Sequence, residues 1–192
     1  MTAMIDARRG TFRLAAAVTA TALAFGLGAG VAAAKPKPAP HTSTEELTPP
    51  VATSTGWEIL ADDATHQATV WHNGVVVRTM PISMGKRKDA TPNGVYHTKE
   101  KYQSLIMSSA TYGVPVDSPD GYSETVYWAT RMSWDGIFIH AAPWSVASQG
   151  KTDVSHGCIN ISTANGKWVY ENLPEGTPIV VEHTSGGQYQ GD

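Results

Sequence analysis

The sequence predicts a mainly β domain, a β-sandwich-like or barrel-like fold with one short helix. Three observations lead there. Between Gly56 and His183, short runs rich in Val, Ile, Trp and Thr recur with alternating polarity. Gly, Pro, Asn and Asp separate those runs, and a single stretch carries both a helix start and a helix stop.

The elements follow in order. "GWEILADDATHQATVWHNGVVVRTMPISMG", residues 56–85, alternates, and Asn73-Gly74 between two apolar runs is the strongest short hairpin signal. In "TPNGVYHTKEKY" a turn over Thr91 to Gly94 precedes a strand starting at Val95. "ETVYWATRMSW" and "GIFIHAA" read as two strands joined near Ser133 to Gly136, and "TPIVVEH" reads as the last one. Ser162 is placed to cap a helix over Thr163 to Asn172, which Gly166 weakens and Pro174 and Gly176 end.

The flanks differ in composition. Arg8, Arg9 and Arg13 precede an uncharged apolar run, Leu14 to Val31, and Ala32 to Ala34 form an A-x-A-like cleavage site. Residues 1–34 therefore read as a secretory signal peptide. A retained membrane anchor is the alternative, because the run is about long enough to span a bilayer, but its Ala, Gly and Thr content favours insertion only weakly. Either way the protein is expected to be exported, in the cell envelope or periplasmic space or secreted and wall-associated. Residues 35–55 form a Pro/Thr/Ser-rich linker with a coil reach of about 25 Å. Residues 56–183 are the folded domain, and 184–192 a polar tail expected to fray. Removing residues 1–34 leaves 11 Lys and Arg against 16 Asp and Glu, a net charge of −5. That balance argues against a phosphate-binding surface and hence against nucleic acid as partner; nothing in it calls for an oligomer, and a monomer is expected.

The chain has one cysteine, Cys158, in "TDVSHGCINIS". Exported domains use cysteines in pairs, so a single one is either a small buried hydrophobe or a free thiol kept for chemistry. Its neighbours favour chemistry. Gly157 permits φ > 0 and close approach of the backbone to a ligand, and the turn it makes can aim N–H groups at an oxyanion. A thiol nucleophile needs a base. His156 is adjacent, but His140 is the better candidate, because it ends the strand "GIFIH" and enters the loop that returns to Cys158. His41, His66, His72, His97 and His183 carry no such context. Without an H-x-H, H-E-x-x-H or C-x-x-C pattern no metal site is expected, and without G-x-S-x-G serine catalysis has no motif.

"IFIHAAPWSVASQGKTDVSHGCINIS" resembles the active-site segment of the L,D-transpeptidases, the YkuD-like catalytic domain: a His, a gap, then S-H-G-C and a following Asn. With "SSATYGVPVDSPDGY" upstream it is similar to the actinobacterial branch, over about Gly56 to His183. The resemblance implies Cys158 as nucleophile and His140 as base. It implies the main-chain carbonyl of Ala141 as the group that orients the imidazole. His156, Gly157 and Cys158 correspond to the oxyanion region, and Tyr122 to a tyrosine on a flap over the site. Met107, Trp144, Ser155 and Asn160 correspond to pocket residues. On the residues alone, Met107 and Trp144 fit core packing equally well, and Asn160 fits a loop brace. The implied substrate is a peptidoglycan stem tetrapeptide, cross-linked 3→3 through a thioester without metal or cofactor, and the implied inhibitors are β-lactams of the carbapenem class. An L,D-carboxypeptidase, a wall-anchoring transferase and a catalytically dead wall-binding module are the competing readings. Larger relatives of this branch carry immunoglobulin-like modules before the catalytic domain, where this chain has only the linker.

Overall fold

The structure is a computed structural model and describes residues 48–191; the expected signal segment and most of the expected linker lie outside the described residues. Nine strands form two sheets. The strands are β1 (Trp57–Asp62), β2 (Gln67–His72), β3 (Val75–Pro81), β4 (Gly94–His97), β5 (Lys101–Ser108), β6 (Ser123–Arg131), β7 (Phe138–Ala141), β8 (Ile159–Ile161) and β9 (Pro178–Glu182), and one helix, α1 (Thr163–Asn172), lies between the last two. The first sheet has the order β3-β2-β1-β9-β4 and the second β5-β6-β7-β8. β1 and β9 pair in parallel, as do β7 and β8; the other pairs are antiparallel.

The alternation read from the sequence is kept in β2, whereas β7, β8 and residues 178–181 of β9 are buried throughout. Ile59 and Ala61 of β1, Ala68 and Val70 of β2, and Ile179 and Val181 of β9 point into one core. Ile139, Ile159 and Ile161 of the second sheet, Val169 of α1 and Leu173 just after it complete it. Burying each such Val, Ile or Leu is worth about 1.5–3 kcal/mol, so this shared core fixes the strands that carry the site. Asn73 and Gly74, both at positive φ (52° and 79°), make the β2–β3 hairpin.

Three features of the fold position the site. After β3 the chain leaves the first sheet and runs along β8, where Ser83 exchanges main-chain bonds with Asn160 at 3.0 and 2.8 Å. Residues 82–86 thereby flank the "SHGC" loop. Second, α1 lies directly on β7. A Cβ at Gly166 would sit 2.8 Å from Ala141 N. The glycine that weakens the helix locally is what lets it pack on the strand bearing His140. Ser162 caps the helix, accepting from Asn165 N at 3.3 Å. Third, the connection between β5 and β6 folds over as a flap. Ser109 Oγ accepts the Tyr122 N–H at 3.0 Å, Ser109 N–H donates to Tyr122 O at 3.0 Å, and an ion pair joins Lys88 to Asp120 across the rim.

Two expectations need correction. The tail does not fray over its described part. Tyr189 stacks on Tyr96 with ring centroids 3.9 Å apart, and its N–H donates to Asn93 O at 2.8 Å. The end of the linker is also tied down, with Val51 N–H donating to Glu58 Oε1 at 2.7 Å. The strand expected from Val95 is β4, and a further strand with no counterpart in the sequence reading, β5, begins at Lys101 in the other sheet.

Candidate active site

Parallel pairing of β7 with β8 sets His140 beside Asn160, and Cys158 enters β8 from the preceding loop. Cys158 stands between two cavities. The larger, about 610 Å³, is lined among others by Asp89, Ile106, Tyr112, Trp134 and Phe138; the smaller, about 210 Å³, by His140, Trp144, Ser155 and Asn160. Met107, Tyr122, His156 and Cys158 line both. Among the described residues, the sequence-predicted set therefore converges on one place.

His140 is buried, and its Nδ1 lies 3.0 Å from the Ala141 carbonyl oxygen. A carbonyl only accepts, so Nδ1 carries the hydrogen and Nε2 is the free base in the neutral ring. Burial holds the imidazole below the usual histidine range, against the opposing pull of that carbonyl. The Cys158 thiol lies 3.8 Å from the Gly136 carbonyl. Burial pushes it up to about 11, opposed by a main-chain hydrogen bond from Phe138. At neutral pH the resting pair is a thiol and a neutral imidazole.

The loop between them is held from several sides. Ser155 Oγ accepts the Gly157 N–H at 3.1 Å and donates to the Cys158 carbonyl at 2.6 Å, a local turn that shapes the nucleophile's backbone. Gly157 has φ 116°, which L side chains rarely adopt. Asn160 is buried and its Nδ2 donates to Ser145 Oγ at 3.2 Å, so it braces the loop after β7 while also lining the smaller cavity. Met107 packs partly against Val126 and Phe138 and also faces both cavities. Trp144 is 52% exposed, which removes the core-packing reading for it; its ring centroid is 6.0 Å from that of His140.

Tyr122 and His156 close the mouth, ring centroids 4.8 Å apart. Burial, then the Tyr112 hydroxyl, push the Tyr122 phenol far above the usual range, so it is a permanent donor. His156 is held low by burial and by Lys86, whose ammonium lies 2.7 Å from His156 Nε2. That nitrogen accepts, and the ring is neutral.

Sequence reasoning missed several supports. Thr91, read only as the start of a turn, is fully buried and donates to the Gly157 carbonyl at 2.9 Å. Ser145 and Gln149 frame the loop after His140, and Lys86 reaches His156. His66 and His183, read as incidental, each join carboxylates. Asp63, His66 and Asp153, and likewise Asp62, Glu182 and His183, bring three possible metal-binding atoms within 4.8 Å of one another, and none of the six lines either cavity.

A two-sheet β domain with a buried imidazole, a free thiol and a glycine-shaped loop carries the parts of a cysteine-nucleophile site. Residues 56–181 match the L,D-transpeptidase catalytic domain, YkuD, and the chain belongs to that family. L,D-transpeptidase 2 of Mycobacterium tuberculosis is 50% identical over 131 residues, 68% of this chain and 32% of that protein. An L,D-transpeptidase structure from Mycobacterium smegmatis superposes with a TM-score of 0.65 at 44% identity, covering 67% of this chain and 59% of that one. The structure of LdtMt1 in complex with imipenem has the same TM-score and identity, covering 66% and 59%. The chain thus spans between about a third and three-fifths of the length of these relatives.

Proposed function

We propose that the domain is a peptidoglycan L,D-transpeptidase that acts through a Cys158 thioester. The observation that carries this is the position of Cys158, flanked by two cavities, one of which holds an imidazole whose free Nε2 is fixed by the Ala141 carbonyl. Two openings on one thiol suit a reaction with two successive substrates.

His140 Nε2 takes the Sγ proton as sulfur attacks the carbonyl of the third stem residue. A C–S bond forms, and the negative oxygen faces the Cys158 N–H of the His156–Cys158 loop. The bond to the terminal D-Ala breaks, and His140 returns the proton to its amine. The side-chain amine of a neighbouring stem then attacks the thioester. It loses a proton to His140, and the thiol is regenerated with a 3→3 cross-link made. Tyr122, a permanent donor on the flap, and Met107, Trp144, Ser155 and Asn160 along the cavities shape the approach. β-Lactams of the carbapenem class acylate the same sulfur, as the imipenem complex of LdtMt1 suggests by analogy.

Export to the wall, by way of the N-terminal segment, would bring the site to this substrate. Residues 48–192 with the remaining linker, incubated with a disaccharide tetrapeptide and read by mass spectrometry, test the proposal. A dimer formed with loss of one D-Ala is expected. Tripeptide alone, with excess acceptor present, would make the enzyme an L,D-carboxypeptidase.

A further inference from the structure

Thr91 lies in no motif and lines neither cavity, yet it is fully buried directly behind the nucleophile loop. Its hydroxyl has one hydrogen to give and gives it to the Gly157 carbonyl, at 2.9 Å. It also accepts the Gly85 N–H, at 3.1 Å. That acceptance directs the hydroxyl hydrogen toward Gly157. Gly85 itself is hemmed in, since a Cβ there would lie 2.1 Å from Asp89 O, so the 85–91 turn that presents Thr91 is tight.

The consequence lies in the peptide between Gly157 and Cys158. It is trans, so its C=O and N–H point in opposite directions. Thr91 draws the carbonyl into the protein. The Cys158 N–H must then point away from Thr91, toward the side where Gly157 and Cys158 line the larger cavity. Gly157 can hold this orientation because φ 116° is open to it. Without the hydroxyl, the carbonyl would be left buried and unpaired, and the peptide plane would be free to rotate toward another partner.

We propose that Thr91 is a positioning residue for the oxyanion hole: by gripping the Gly157 carbonyl it aims the Cys158 N–H at the oxygen that becomes negative during acyl transfer. This rests on the acyl-transfer reading above. It differs from a general packing role in one respect: it acts on reactions that generate an oxyanion and leaves other reactions of the same sulfur alone.

The test compares two reactions of Cys158 in the full folded domain. Acylation by imipenem passes through an oxyanion; alkylation by iodoacetamide is a displacement at carbon and does not. Thr91→Val removes the hydroxyl at nearly constant shape, and Thr91→Ser keeps it. Thr91→Val is expected to slow acylation about 10- to 100-fold, short of the 10²–10³ for deleting a hole donor outright, with alkylation within about twofold of wild type. Thr91→Ser should stay within about threefold in both. If Thr91→Val does not fold, Thr91→Ala against Thr91→Ser, a pair differing by one oxygen, carries the same comparison. Equal loss of acylation and alkylation, or wild-type acylation in the hydroxyl-free variant, overturns the inference. A wild-type protein that is alkylated at Cys158 but never acylated overturns the acyl-transfer reading, and this inference with it.

Discussion

The Nδ1 of His140 points at the carbonyl of its own neighbour, Ala141, 3.0 Å away. An orienting carboxylate would hold a proton acceptor and a charge beside the imidazole. A main-chain carbonyl supplies the orientation without the charge. It also survives side-chain change at position 141, because only the backbone is used. The ring is thereby committed to one tautomer, with Nε2 as the base.

Loss of either reacting group should end turnover. Cys158→Ala and His140→Ala are each expected to lower cross-linking at least about 10³-fold, measured by product formation from tetrapeptide. His72→Ala should change it little, since that ring stacks on Trp57, centroids 4.0 Å apart, and lines neither cavity. Wild-type turnover in either of the first two variants contradicts the mechanism.

The thiol's reactivity should keep rising with pH. With its pKa pushed up to about 11 by burial, the thiolate fraction is small at pH 7. It grows about tenfold per pH unit until the pKa is reached. Iodoacetamide alkylation is therefore expected to climb from pH 7 to 10 without levelling. Turnover should persist to below the ordinary histidine range on the acid side, because His140 is held low and stays a neutral base there. A plateau in alkylation below pH 9 would contradict the raised thiol pKa.

A cluster away from the site should set part of the pH dependence of stability. Burial first, then the hydrogen bond and charge of Asp153, raise the Asp63 carboxyl to about 6, with His66 opposing. Asp153 also accepts the Met84 N–H, at 2.6 Å, near the start of the nucleophile loop. The folded-state value lies above the unfolded one, near 3.9, so the folded protein holds a proton that the unfolded chain has released. Stability therefore falls as pH rises from about 4 to about 6 and stays lower above that. Asp63→Asn removes the charge and keeps a donor toward Asp153. It is expected to raise the Tm by about 2–4 °C at pH 7.5, where 1 kcal/mol shifts a domain of this size by that much, and by clearly less at pH 4.5. An equal shift at both pH values contradicts the assignment.

Much of this was legible in the residues because the signals are local. Asn73-Gly74 can make little but a tight hairpin turn, and Ser162, Pro174 and Gly176 bracket α1, whose observed span is Thr163–Asn172. β5 was hidden because it leads into the flap: every one of its residues is exposed or half-buried, so no clean alternation marks it. β8 has only three residues, too few for a period. Cys158, His140 and their neighbours could be found through a motif, but Thr91 could not. Its partner is 66 positions away, and a threonine before a proline in a turn looks ordinary. Gly166 misled for a similar reason, since its cost to the helix is local and its reason, the close approach to Ala141, is tertiary.

A thioester on Cys158 is tested by intact-mass analysis of the domain mixed with tetrapeptide donor and no acceptor. A mass gain equal to the donor less D-Ala, mapped to the peptide containing Cys158 and discharged on adding an amine, is the predicted result. Release of D-Ala with no adduct on Cys158, or an adduct on another residue, would contradict it.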